Sequence, residues 1–336
     1  MRRLVSSDWQ LADGARDRYR LDFVVKTLPK LIEKYEPDQL LILGDITEAK
    51  DNHPASLVNE IANTLCNIAQ SFEIEIIVLQ GNHDFLHNAH PFFAFLENFR
   101  NIHWISKPEI LDNCLYLPHT RDYKKDWANV DLKVDYDFIF AHNIFEGVTA
   151  NGHALSGIPC SVFPRNAFVI SGDVHEPQTL GNGVVTYVGS PCLCDFGDNY
   201  DPRVLLLDDL KVKSIKVHGQ QKRLVRCSVN RIAGKRELAF DHTANEGDIV
   251  KIQVQLIMDD VAEWATIREQ VEQRAVENRW IVHAIVPQVA YEQGRRQKIS
   301  ASQRKTDEQY LTSFVQRSGV DERTTQVGKE IINLAE

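Results

Sequence analysis

The sequence has no apolar run that approaches the roughly 20 residues a membrane-spanning helix needs, which excludes an integral helical membrane protein. Its first apolar stretch ends at Ser6, too short for the hydrophobic region of a signal peptide. The six cysteines, at 66, 114, 160, 192, 194 and 227, form no CxxC pair. A structural zinc site is therefore not expected, and thiols scattered in this way suit a reducing cytoplasm. An excess of basic charge is also missing. The 38 Lys and Arg residues face 47 Asp and Glu, for a net charge of −9. That balance argues against a freestanding nucleic-acid binder. It does not exclude a phosphate-handling enzyme whose bound cations supply the positive charge. There is no internal repeat and no low-complexity tract.

What the sequence does have is a series of apolar β runs that stop abruptly at polar clusters. The β-formers of 74–79 end in Gln80 and then Gly81-Asn82-His83-Asp84. A strand at 3–7 runs into Asp8, Trp9 and Gln10, and one at 39–43 runs into Gly44-Asp45. Helical periodicity over 17–35 and 54–72 separates these three strands. The resulting β-α-β-α-β order predicts a parallel sheet covered by helices. A short aromatic helix at 91–99 is expected in the core. Further strands are predicted at 137–141, ending at His142, and at 168–171, ending at Gly172-Asp173-Val174-His175. Others follow at 184–188, 204–207 and 212–217.

The texture changes near residue 220. Residues 220–223 read as a polar basic connector. A β-α-β unit follows, with strands at 249–258 and 280–286 around an amphipathic helix at 262–278. Residues 292–305 read as a basic linker, and two short helices, at 307–316 and 325–334, close the chain. The expected organisation is a main domain at 1–220, a small second domain at 221–290, and a linker with C-terminal helices at 291–336.

Asp8, Gln10, Asp45, Asn82, His83, His142, Asp173 and His175 all follow directly on β runs. Ligand sites in open α/β sheets collect at such strand tips. Asp, Asn and His are oxygen and imidazole donors for divalent cations. Two cations about 3.5–4 Å apart, bridged by one carboxylate, can clamp a phosphate and activate a water. His87, His90 and His119 have no such motif support, and Cys192 and Cys194 read as ordinary small side chains beside Gly189-Ser190-Pro191.

The series Asp8-x-Gln10, Gly44-Asp45, Gly81-Asn82-His83-Asp84, His142 and Gly172-Asp173-x-His175 resembles the motif series of calcineurin-like metallophosphoesterases. In that family the pattern reads D-x-H, G-D, G-N-H-D, H and G-H-x-H. The stretches Gly172-Asp173-Val174-His175-Glu176-Pro177-Gln178 and Tyr187-Val188-Gly189-Ser190-Pro191 are similar to the SbcD branch, the nuclease subunits of SbcCD complexes. The resemblance implies an α/β fold: a metallophosphoesterase β-sandwich flanked by helices, with a small α+β capping domain and C-terminal helices. It implies one metal site from Asp8, Gln10, Asp45 and His175 and another from Asp45, Asn82, His142 and Asp173, bridged by Asp45. His83 would be the general acid and Asp84 would orient its ring. It further implies a DNA exonuclease or endonuclease, an SbcC-like coiled-coil ATPase partner that docks on the terminal helices, and a homodimer. Gln10 and Asp173 stand where the family has His. This exchange of nitrogen for oxygen favours Mn²⁺, or Mg²⁺, over Zn²⁺. Two other functions share the scaffold: a small-molecule phosphodiesterase or phosphatase, and a non-catalytic assembly subunit.

Overall fold

The computed structural model describes residues 1–289 apart from 88–89, 151, 233–234 and 242–243. The basic stretch and terminal helices expected beyond residue 291 lie outside the described residues. The chain opens with β1 (Arg2–Ser6) and a helical stretch of α1 (Arg18–Asp22), a π-helical turn (Phe23–Thr27) and α2 (Leu28–Tyr35). Next come β2 (Gln39–Ile42), α3 (Ala55–Ser71), β3 (Glu75–Leu79), a 3₁₀ turn (Phe92–Asn98) and β4 (Ile102–Ile105). These four strands are mutually parallel, as the alternation of strand and helix predicts.

A second sheet begins with β5 (Glu109–Leu111) and β6 (Cys114–Leu117), then α4 (Tyr123–Asp126) and β7 (Phe138–His142). A small hairpin of β8 (Thr149–Ala150) and β9 (His153–Ala154) precedes β10 (Val169–Gly172), β11 (Thr179–Leu180) and β12 (Val185–Tyr187). Strands β6, β7, β10 and β12 run parallel at its centre. The chain then returns to the first sheet as β13 (Arg203–Asp208), antiparallel to β1, and β14 (Lys211–Lys216).

The two six-stranded sheets pack face to face. Val5, Leu41 and Ile77 of the first meet Tyr116, Phe138, Phe140 and Ile170 of the second. Alternate residues point outward. In the first sheet Leu4, Leu40, Ile42, Ile76 and Val78 pack under Leu28, Ile32, Leu57, Ile61 and Leu65 of the helices. In the second, Leu115, Ile139, Ala141 and Val169 are covered by Trp127, Phe145 and Phe163. Burial on both faces explains why runs such as 40–43 are apolar without alternation.

A third sheet, with its own core, is built from β15 (Lys222–Ile232), β16 (Lys235–Phe240), β17 (Ile249–Leu256) and β18 (Ile281–Val289). It is joined by α5 (Met258–Val261) and α6 (Trp264–Glu277), and Val225, Cys227, Val250, Ile252 and Val254 pack on Ile267, Val271 and Ala275. The connector expected at 220–223 is therefore wrong: Lys222 and Arg223 already lie in β15. In the sequence, the charges of Lys222, Arg223, Arg226 and Arg231 mask the buried pair Val225 and Cys227.

Candidate metal centre

The tips of β1, β2, β3, β7 and β10 converge at one edge of the sandwich. Beyond its last strand residue the β1 tip is tied to the β2 tip by Asp8 N–H to the Gly44 carbonyl (3.1 Å), Gln10 N–H to Asp45 (3.1 Å) and Leu11 N–H to Ile46 (2.9 Å). Four of the site residues adopt left-handed backbone, Asp8 (φ 52°), Gln10 (φ 48°), Asp45 (φ 56°) and Asp173 (φ 83°). Such conformations cost of order 1–3 kcal/mol each, and clusters of them mark functional sites. The glycines before Asp45 and Asp173 serve close approach. A side chain at Gly44 would strike the His142 ring and the backbone of Gly81, and one at Gly172 would strike Ser7 Oγ and the Leu43 carbonyl.

Asp45 lies at the centre. Its Oδ1 is 3.4 Å from His142 Nε2 and accepts the His83 N–H at 2.8 Å. Its Oδ2 accepts the Gln10 amide at 2.8 Å. Donor atoms of Asp8, Asp45 and His142 lie within 4.8 Å of one another. His142 Nδ1 donates to the Leu43 carbonyl at 2.6 Å. A carbonyl can only accept, so Nδ1 keeps its proton and it is Nε2 that presents a lone pair to the cluster once the ring is neutral. Asn82 Oδ1 is 3.0 Å from that nitrogen and Asp173 Oδ1 3.9 Å.

The donor set fits divalent cations. Asp8 Oδ1 accepts the Asp173 N–H at 3.1 Å, but its Oδ2 is buried with no partner. A buried, unpaired carboxylate oxygen is costly unless a cation faces it. Asn82 Oδ1 points among acceptors, an orientation that suits a shared cation. Turned over, the amide would instead donate to both Asp45 oxygens at 3.1 Å. Gln10 currently presents NH₂, not oxygen, to Asp45. His175 lines the same cavity as Gln10, Asp45, Asn82, His83 and Asp173, but stands outside the tight Asp8, Asp45 and His142 group.

The expected pairing of Asp84 with the His83 ring is corrected by the structure. The Asp84 carboxylate is fully buried and accepts backbone N–H groups from Asp45 (2.9 Å), Ile46 (3.1 Å) and Gly81 (2.7 Å). It ties the β2 tip to the β3 tip. The ring of His83 is held by the Glu48 carbonyl, which accepts from Nδ1 at 2.6 Å. That bond protonates Nδ1 and leaves Nε2 to exchange a proton. Sequence reasoning missed both Glu48 and Arg20. The buried Arg20 guanidinium pairs with Glu48 (2.9 Å) and Asp17 (2.6 Å) and donates to the Gln10 carbonyl. A lone Arg in an amphipathic helix carries no signal for that role. Asp17 also receives Lys222 of β15 at 2.7 Å, so the third sheet touches the rim of the site.

Burial alone would lower the His142 pKa, but Asp45, Asp173 and Asp8 overcome it and push it up to about 9. Burial raises Asp8, and it raises Asp173 to about 6 with further help from Asp45 and Asp8. The raised His142 value stabilises the protein below its unfolded pKa near 6.5, and this stabilisation is lost as pH rises through about 9. Asp173 works in the same direction: it stays protonated until about pH 6, and its ionisation weakens the cation-free fold. Cation ligation needs the deprotonated forms. Mn²⁺ affinity should therefore rise between pH 6 and 9, by up to about tenfold per pH unit for the one proton His142 releases. Titration calorimetry in buffers of different ionisation enthalpy measures both the affinity and the released proton.

Three cavities of about 450, 340 and 500 Å³ share Asp173 in their walls. The first extends past His175 and Glu176 to Tyr200, and the third past His119, Arg121 and Tyr123. His119, which had no motif support, thus borders the centre. Burial and the nearby His142 lower its pKa to about 4. His87 and His90 have no part in the cluster.

The family profile described as calcineurin-like phosphoesterase matches residues 1–207. No curated protein matches the sequence. Among solved structures, the chain is similar to the Pseudomonas putida nuclease MPE, with 15% identity, covering 63% of this chain and 87% of that one at a TM-score of 0.35. It is similar to an archaeal phosphodiesterase at 12% identity, covering 64% and 99%, TM-score 0.36. A dimetal phosphatase from Danio rerio matches at 11% identity, covering 65% and 99%, TM-score 0.37. Likenesses at these scores carry no information on substrate.

Proposed function

We propose that this chain, which belongs to the calcineurin-like phosphoesterase family, is a Mn²⁺-dependent nuclease that hydrolyses the phosphodiester bonds of DNA. The observation that supports an extended substrate is the meeting of three cavities at Asp173. A small phosphate ester needs one pocket of a few hundred Å³. A nucleotide chain needs room on both sides of the scissile phosphorus. The similarity of residues 172–178 and 187–191 to the SbcD branch supports the same reading.

Asp8, Asp45, Asn82, His142, Asp173 and His175 would hold the cations, with Gln10 beside them. Bound there, two divalent cations neutralise phosphate charge and lower the pKa of a water. The chain's own residues do the rest. Asp45, fixed by the His83 N–H and the Gln10 amide, sets the spacing of the donors. The Glu48 carbonyl holds the His83 Nδ1–H, so the imidazolium would give its Nε2 proton to the leaving oxygen and remain as the neutral Nδ1–H ring. Asp84 holds the turns that carry Asp45 and His83. The acidic surroundings leave much of the DNA affinity to a partner. An SbcC-like ATPase and pairing of two copies complete this reading.

The test is cleavage of linear duplex and single-stranded DNA by the full chain in Mn²⁺. His83→Ala should lose about 10²–10⁴-fold in rate, the usual contribution of a positioned acid, with cation binding retained. Turnover of nucleotide or aryl phosphodiesters without DNA cleavage, with or without the ATPase, would overturn the DNA assignment.

A further inference from the structure

We infer that His119 is an additional ligand of the centre, supplying at the Asp173 side the imidazole nitrogen that the family pattern otherwise carries at position 173. The inference rests on the two-cation reading above.

His119 lies two residues beyond β6, and β6 runs parallel to β7, so its tip reaches the same edge as His142. The backbone there is clamped on both sides. His119 N–H donates to the Gln80 carbonyl at 2.9 Å, next to the Gly81 turn. Thr120 N–H donates to Asn143 Oδ1 at 3.1 Å, next to His142. The position is therefore fixed against the two turns that carry Asn82 and His142. Phe85 packs on the ring, with centroids 6.2 Å apart.

The ring faces the cluster. Its Nδ1 is buried, has no hydrogen-bond partner and lies 4.0 Å from Asp173 Oδ2. The ring centroid is 6.1 Å from that of His142, nearly perpendicular at 74°. The donor separations are Asn82 Oδ1 to His142 Nε2 (3.0 Å), His142 Nε2 to Asp173 Oδ1 (3.9 Å), and Asp173 Oδ2 to His119 Nδ1 (4.0 Å). Around an octahedral ion with bonds of about 2.1 Å, neighbouring donors sit about 3 Å apart and opposite donors about 4.2 Å. Each of these pairs lies within the roughly 4.2 Å that spans such an ion, so each pair is close enough to share one. The ring also adjoins His142, and only 15% of its side chain is exposed. A neutral imidazole keeps a lone pair for a cation. A second nitrogen donor would shift the preference of this position away from Mg²⁺ toward Mn²⁺ and Co²⁺.

The experiment compares the full-length wild type, His119→Ala, His119→Phe and Asp45→Ala. Mn²⁺ binding is followed by calorimetry, and Co²⁺ binding by visible absorption. The Phe variant keeps the ring packing on Phe85, so a loss common to Ala and Phe is not a folding defect. Both should bind one of two Mn²⁺ ions at least about tenfold more weakly, the lower bound seen even for loss of outer-sphere partners. Their Co²⁺ absorption maxima should shift, and added imidazole should restore the affinity of His119→Ala. Two Mn²⁺ ions bound at wild-type affinity by folded His119→Ala, with an unchanged Co²⁺ spectrum, would overturn the ligand assignment and leave the two-cation reading standing. A wild type that binds Mn²⁺ no better than Asp45→Ala would overturn both.

Discussion

Asp45→Ala should abolish phosphodiester hydrolysis while leaving the cation-free protein as stable as the wild type, or more so. Asp45 is the hub of the cluster: it is 3.4 Å from His142 Nε2 and accepts from the His83 N–H and the Gln10 amide at 2.8 Å each. A bridging carboxylate supports charge stabilisation worth several kcal/mol at the transition state, so its removal should cost about 10³-fold or more in rate. Folding points the other way. Asp45 sits among the buried carboxyls of Asp8, Asp84 and Asp173 and pushes the pKa of each upward. Removing it relieves that repulsion, which offsets the lost attraction to His142 and the His83 N–H and Gln10 amide left without their acceptor. The expected signature is an unchanged or raised melting temperature without metal, and no further rise on adding Mn²⁺. Thermal melts with and without Mn²⁺, beside a rate assay, resolve the two effects. A variant that loses stability yet keeps its Mn²⁺ response would show Asp45 to be structural.

Asp84→Ala should instead unfold the site. Its carboxylate accepts three buried backbone N–H groups, from Asp45, Ile46 and Gly81. Each orphaned donor costs about 1–3 kcal/mol, so the variant should lose about 3–9 kcal/mol. That corresponds to about 4–13 °C in melting temperature for a chain of this size. Burial, then the charge of Asp45, raises the Asp84 pKa to about 6, and the N–H donors oppose this only in part. Ionisation of Asp84 beside Asp45 therefore costs stability as pH rises from its usual 3.8 through about 6, and the backbone donors offset part of that cost. Asp84→Asn keeps one oxygen acceptor and should fall between the two. Urea unfolding followed by fluorescence measures these differences. Loss of activity at wild-type stability would instead restore the idea that Asp84 acts through the His83 ring.

Those two aspartates also show what the sequence reveals and what it hides. Asp45, Asn82 and His142 were legible because each ends an apolar β run, and parallel strands must deliver their ends to one edge. The Gly-Asn-His-Asp motif placed Asp84 beside His83 in sequence and suggested a pairing. In space the Asp84 side chain turns inward to unpaired backbone donors, a demand that side-chain patterns do not encode. Glu48 acts through its carbonyl, which any residue possesses, so its hold on His83 leaves no trace in residue type. Arg20 ties together two loops, one carrying Gln10 and Asp17 and the other Glu48, from within a helix whose periodicity reads as ordinary. The strands of the third sheet at 222–240 were hidden by the charged residues around Val225 and Cys227. His119 had no motif, and only the parallel pairing of β6 with β7 brings it to the site.

The central claim is that the strand-tip residues form a two-cation centre around Asp45. The most direct measurement is anomalous diffraction from crystals of the full chain grown with Mn²⁺, recorded near the manganese absorption edge. Two anomalous peaks are expected, on either side of the Asp45 carboxylate and about 3.5–4 Å apart, one toward Asp8 and the other toward His142 and Asp173. No peak at the strand tips, or peaks only at surface carboxylates, would contradict the account.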